Sequence, residues 1–139
     1  MAYKIFLDTN LFLDHLLDRN NHSSTILKAC EESVVTGFAS SASFYTLAYL
    51  IRKTISTSAT RKLLGEYLRF ISILPTQKNT LRISLESSFN DLEDAFQYFT
   101  ALEEKQIDFF ITANLKDYQK VSQQLPVISP QKFVTEYLV

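Results

Sequence analysis

Two short apolar runs do most to constrain the fold. Lys4-Ile-Phe-Leu7 and Phe109-Phe-Ile111-Thr112 lack the polar alternation that would give one face to water. Such runs read as strands buried on both sides, the kind a parallel sheet uses. Ile71-Ser-Ile-Leu74, stopped by Pro75, reads as another strand. Val34 to Ser40 carries a further one, with Gly37 near its start, and Leu125-Pro-Val-Ile128 is a short last strand. Between these runs the apolar residues recur at helical spacing. Parallel strands need crossovers, and helices supply them. The expected fold is α/β, a three-layer α/β/α sandwich around a mainly parallel sheet of four to five strands. The chain has 139 residues and reads as a single domain over 1–139, long enough to bury a core.

The helical segments follow in order. Leu11, Phe12, Leu13, Leu16 and Leu17 mark a short helix that Thr9 or Asn10 is placed to cap. Ile26, Leu27, Ala29 and Cys30 form the inner face of the next, and Phe44, Leu47, Ala48 and Ile51 that of a third. Leu63, Leu64, Tyr67, Leu68 and Phe70 mark a fourth. Asn79 to Ser87 reads as a short helix with Leu81, Ile83 and Leu85 inside. A longer helix starts at Asn90 or Asp91 and runs to about Glu104, with Leu92, Ala95, Phe96, Phe99 and Leu102 inward. Val121 falls in a connecting turn. Pro130 suits the first turn of a final helix that reaches about Leu138.

Composition excludes more than it identifies. The formal net charge is −1, so overall balance does not announce a polyanion binder. The distribution is uneven: Arg52 to Arg82 holds seven of the fourteen bases and one of the fifteen acids. That asymmetry fits either a polyanion-facing side or solvated helix faces. Cys30 is the sole cysteine, so no disulfide forms within the chain, in keeping with a reducing cytoplasm. The N-terminal stretch enters a strand at once and fits no signal-peptide pattern. Ser33 to Ile51 is uncharged, but its Gly37, four serines and two threonines divide it into a strand and a helix rather than a membrane span.

The acidic residues carry the chemistry. Asp8 ends the first strand. Asp91 and Asp94 start the penultimate long helix, and Thr112, Asn114 and Asp117 follow the fourth strand. A helix that precedes a parallel strand runs opposite to it, so all of these meet at the carboxyl edge of the sheet, where open α/β sheets bind ligands. Bare carboxylates repel: at about 5 Å and an effective dielectric near 20, each ionised pair costs roughly 3 kcal/mol. Convergent acids without a basic partner suggest a divalent cation, and Mg²⁺ prefers such oxygens. Local readings remain open for each. Asp8 suits an Asx-type turn, Asp91 with Asp94 or Asn90 with Glu93 a capping pair, and Asp117 or Asn114 a turn cap. Glu93 is read as facing solvent. Asp108 enters its strand at the opposite edge and is excluded. Asp14, His15, Asp18 and His22 read as surface, with Arg19 ending the first helix near a carbonyl or carboxylate.

The whole chain resembles a PIN domain of the VapC-like toxin type. The matching pieces are Phe-Leu-Asp8-Thr9-Asn10-Leu-Phe-Leu-Asp14 with Leu17-Asp18-Arg19, Ser40-Ser-Ala-Ser-Phe with Tyr49-Leu-Ile-Arg-Lys53, and Asp91-Leu-Glu93-Asp94-Ala-Phe-Gln97-Tyr98. Ile111-Thr112-Ala-Asn114-Leu-Lys-Asp117-Tyr and Pro126-Val-Ile-Ser-Pro130-Gln-Lys-Phe complete the order. The resemblance implies a metal-dependent endoribonuclease that hydrolyses RNA phosphodiesters, uses Mg²⁺ or Mn²⁺, forms a homodimer and meets a small antitoxin protein. It implies Asp8, Asp94 and Asp117 as metal ligands and catalytic acids, with Asn114, Thr112, Asp91 and Asn10 in support. Arg52, Lys53, Arg61 and Lys62 would meet RNA phosphates. One departure stands out. The family's second acid falls at Leu47, and no Asp or Glu lies between Glu32 and Glu66. The alternative is therefore a catalytically weak or inactive PIN-like module that binds RNA or protein. A phosphoacceptor receiver domain also gathers acids at this edge, but the paired acids near its start are missing here.

Overall fold

The computed structural model describes residues 2–119 and 124–138, which leaves Val121 outside the described residues. Five strands form one sheet: β1 Lys4–Leu7, β2 Thr36–Ser40, β3 Ile71–Leu74, β4 Phe109–Ile111 and β5 Val127–Ile128. Their order is β3-β2-β1-β4-β5, and every pairing is parallel. The doubly wound order of receiver domains is 2-1-3-4-5, so that reading is set aside. The helices are α1 Thr9–Leu16, α2 Asn21–Glu31, α3 Ser41–Ile51, α4 Thr57–Leu68, α5 Lys78–Glu86, α6 Leu92–Glu103 and α7 Pro130–Tyr137. Among the described residues these make the expected α/β/α layers.

The two-sided burial of the strands is visible residue by residue. Ile5 and Leu7 face a core shared with Leu11, Phe12, Ile26, Leu47 and Phe133. Phe6, between them, faces a second core built on Phe89, Tyr98, Phe110 and Tyr118. On β4 the same alternation sends Phe110 to the second core and Ile111 to the first. Phe6 and Phe110 stack across neighbouring strands with centroids 5.1 Å apart, the geometry expected of aromatic cross-strand pairs. At Gly37 on β2 a Cβ would lie 2.7 Å from Cys30 Sγ and 2.9 Å from Ile71 Cδ1, so glycine admits α2 and β3 close to the strand.

Polar residues set most helix starts. Asn20 accepts from the amides of His22 and Ser23, Ser40 from Ser43, Ser56 from Ala59, and Ser129 from Lys132. Three expectations need correction. The N-cap position of α1 is held by Asp8, whose side chain makes no capping bond, and not by Thr9 or Asn10. On α5, Leu81 and Leu85 are 40% and 61% exposed, while Thr80 and Ser84 are buried. The hydroxyls explain it. Ser84 Oγ donates to the Thr80 carbonyl at 2.8 Å and Thr80 Oγ1 to Glu103 at 2.7 Å. Satisfied this way, small polar side chains let α5 lie close against α6. On α6 the buried residues are Asp94, Ala95, Gln97, Tyr98, Thr100 and Ala101, and Leu92 is 44% exposed. Two polar residues face the sheet edge there, which rotates the apolar stripe towards Tyr98.

Candidate metal centre

The strand order reverses between β1 and β4, and such a switch point is where open α/β sheets form their ligand crevice. The register there pairs Leu7 with Ile111. Asp8 and Thr112 are therefore the first residues beyond the ladder on either side. The Asp8 amide still bonds to the Ile111 carbonyl at 3.1 Å. Thr112 Oγ1 donates to Asp8 Oδ2 at 2.7 Å, and the Asn114 amide donates to Thr112 Oγ1 at 3.1 Å. Asp8 stands at the N-cap of α1 yet makes no side-chain capping bond. Its carboxylate is turned to the crevice instead. It is 2% exposed. Burial pushes its pKa up to about 6, against the pull of the Thr112 hydroxyl and the nearby amides of Thr9 and Asn10. Asn10 contributes through its backbone; the residue itself is exposed.

α6 brings the next acids. Asp91 is its N-cap, and Asp91 Oδ1 accepts from the Asp94 amide at 3.1 Å. The capping reading of Asp91 is thus met by one of its oxygens, leaving the other for the crevice. A 3-10 turn at Leu115–Tyr118 carries Asp117, and Asn114 Nδ2 donates to Asp117 Oδ2. Asp91, Asp94 and Asp117 each present an oxygen within 4.8 Å of the others. Asp8 lies outside that trio, though its charge reaches Asp94. Asp94 is 8% exposed, and its Oδ2 is buried without a hydrogen-bond partner among the described residues. Burial raises its pKa well above the carboxylate range, and the neighbouring Asp117, Asp8 and Asp91 raise it further. Glu93 is exposed, as expected, but its charge also reaches Asp8. Behind Asp94 the Tyr118 hydroxyl is buried without a partner among the described residues, and burial beside Asp8 and Asp94 raises its pKa.

Other residues singled out in the sequence lie elsewhere. Leu47 is fully buried in the core, not aimed at the acids. Arg52 follows the last turn of α3, about 16 Å along the axis from the sheet edge. Its guanidinium donates to the Ile55 carbonyl at 2.8 Å, and Lys53 Nζ sits 4.5 Å from the Tyr49 ring centroid. Arg61 and Lys62 are exposed on α4. Asp108 is at the opposite edge, accepting from the Lys4 amide at 2.9 Å, and Arg19 pairs with Asp14 at 2.9 Å. Sequence reading missed Ser43 and Gln97. Both are buried beside Thr9, and a serine or glutamine at helical spacing gave no cue to its burial.

The acids make stability depend on pH with a definite sign. Unfolded, Asp8 and Asp94 ionise near 3.8; folded, both hold their protons to higher pH. Their contribution is complete below about pH 4 and is lost as pH rises through the raised values. Metal-free protein is therefore expected to melt at progressively lower temperature from pH 4 towards pH 8. Mn²⁺ should reverse most of that fall, because it replaces the protons. Melting curves with and without chelator check this, and a flat metal-free profile would contradict it.

Comparison with known proteins agrees with this fold. No curated protein matches the sequence. Among solved structures, a chain of the VapBC2 complex from Rickettsia felis, bound to promoter DNA, superposes with a TM-score of 0.69 at 18% identity, covering 91% of this chain and 98% of that one. A chain of DNA-bound VapBC from Salmonella typhimurium gives a TM-score of 0.70 at 14% identity, with 93% and 99% covered. A chain of a toxin–antitoxin complex from Klebsiella pneumoniae gives 0.65 at 18% identity, with 91% and 97% covered. At such identities these establish a shared fold. Residues 4–116 match the family described as PIN domain, and the chain belongs to that family.

Proposed function

We propose that this protein is a divalent-metal-dependent endoribonuclease of the PIN toxin type. The observation that carries the reading is Asp94: a buried carboxylate with one oxygen unpartnered, set against Asp91 and Asp117 at the sheet's switch point. A cation answers both the missing partner and the mutual repulsion. Asp94, Asp117 and Asp91 would hold Mg²⁺ or Mn²⁺, with Asp8 completing the acidic edge. This gives Asp91 a larger part than the support expected from sequence. When bound, such an ion lowers the pKa of its water and neutralises a phosphate. Thr112 keeps Asp8 oriented by donating to one oxygen, and Asn114 does the same for Asp117. Arg52, Lys53, Arg61 and Lys62 would act at a distance from the acids, on RNA phosphates beyond the scissile one, with salt-dependent binding. A homodimer and a small antitoxin partner belong to the same proposal; the structural neighbours from Rickettsia and Salmonella are VapBC complexes.

One observation favours a second reading. α3 brings no carboxylate to the crevice, since Leu47 is core and the side chain on that side is Ser43. A PIN-like module that binds RNA or protein without cutting would tolerate this. Mn²⁺ titration by calorimetry, paired with cleavage of a mixed RNA pool, separates the two. Binding with cleavage supports the nuclease. Binding without cleavage moves the case to the module, and no binding near millimolar Mn²⁺ removes the metal centre altogether.

A further inference from the structure

Immediately behind the acids lies a closed ring of neutral hydrogen bonds. Gln97 Nε2 donates to Thr9 Oγ1 at 2.6 Å. Thr9 Oγ1 lies 2.8 Å from Ser43 Oγ, and Ser43 Oγ donates to Gln97 Oε1 at 3.1 Å. The direction of the ring follows from counting hydrogens. Thr9 accepts from the amide, so its own hydrogen goes to Ser43, and the Ser43 hydrogen goes to Gln97. Ser40 Oγ accepts from the Ser43 amide at 3.1 Å and also lies 3.1 Å from Ser43 Oγ, to which its hydroxyl can donate. Thr9, Ser40, Ser43 and Gln97 are at most 3% exposed, so neither substrate nor bulk water reaches them. A fully satisfied buried network of this kind is rigid.

Its placement gives it a task. Thr9 follows Asp8 directly, and Gln97 lies one helical turn beyond Asp94. Ser43 belongs to the first turn of α3. The ring therefore ties the β1–α1 junction to α6 across the line along which Asp8 and Asp94 repel each other. A carboxylate in the ring would add to that repulsion; hydroxyls and an amide do not.

We propose that Thr9, Ser43 and Gln97 are positioning residues that hold Asp94, with Asp8 beside it, in place against their mutual repulsion before the ion arrives. This rests on the metal-centre reading. The test is Mn²⁺ calorimetry and thermal melting on chelator-stripped full-length protein carrying Thr9→Val, Thr9→Ser or Gln97→Met, with Asp94→Asn as the reference. Thr9→Val and Gln97→Met should each weaken Mn²⁺ binding by about tenfold or more, as loss of outer-shell partners does at metal sites. Thr9→Ser, which keeps the hydroxyl, should stay within about twofold of wild type, and the double variant Thr9→Val/Gln97→Met should be no worse than either single one, because the ring acts as a unit. Ser43→Ala replaces either substitution that fails to fold. Variants that melt lower but bind Mn²⁺ like wild type would overturn the proposal and leave the ring a stabilising element only. Wild type that fails to bind Mn²⁺, with Asp94→Asn indistinguishable from it, would overturn the metal centre and this role together.

Discussion

Leu47→Glu is expected to destabilise the protein by about 3–5 kcal/mol rather than to supply a missing metal ligand. The side chain has no exposure and packs among Leu7, Leu11, Phe12 and Ile51. A carboxylate there finds neither water nor a donor, so it must stay uncompensated or take up a proton, and both cost stability. Domains of this size are stable by roughly 5–15 kcal/mol, so the loss would take about a fifth of the total or more. Urea unfolding measures it, with Leu47→Met as the control, which should cost under about 1.5 kcal/mol. A Leu47→Glu protein that is as stable as wild type and binds Mn²⁺ more tightly would show that α3 can rotate an acid into the crevice. In that case the family's second position would be open for rescue.

Asp94→Asn is expected to have opposite effects on function and on metal-free stability. Asp94 sits between Asp91, Asp117 and Asp8, and burial and all three neighbours oppose its charge. An amide of the same shape removes that opposition. At pH 8 the metal-free variant should therefore be more stable than wild type, by about 1–2 kcal/mol. The difference should shrink towards pH 4, where wild-type Asp94 is already protonated. Mn²⁺ binding should fall at least about a hundredfold, and RNA cleavage should drop to background. Chelator-controlled melts and calorimetry read both sides. A variant less stable than wild type at pH 8 would mean that Asp94 serves the fold through its charge, and the metal centre would lose its central residue.

Some of this arrangement was legible in the amino-acid sequence because it follows from short-range rules. Lys4–Leu7 and Phe109–Ile111 could be read as buried strands because each has no polar face, and chain direction then brought Asp8, Asp94 and Asp117 to one edge. The inner faces of α5 and α6 were not legible. Leu81 and Leu85 have the spacing of a core stripe, yet Thr80 and Ser84 are inside because each hydroxyl finds a partner within reach. Gln97 and Ser43 escaped for the same reason: a polar side chain is buried only when specific partners meet it, and Thr9 lies 88 residues from Gln97. Asp91 was half legible. Its capping role follows from local sequence, but its closeness to Asp117 depends on the turn after β4.

The bond between Thr112 and Asp8 spans 104 positions, and its consequence lies in the order of synthesis. Asp8 leaves the ribosome well before Asp91, Asp94 and Asp117. β1 sits at the centre of the sheet and cannot gain its second neighbour until β4 has emerged. Contacts this distant close late in folding. A partly made chain can hold β1, β2 and β3 together, but it carries one acid of the four. The acidic centre therefore comes into being only once α6, β4 and the turn that follows it have all emerged.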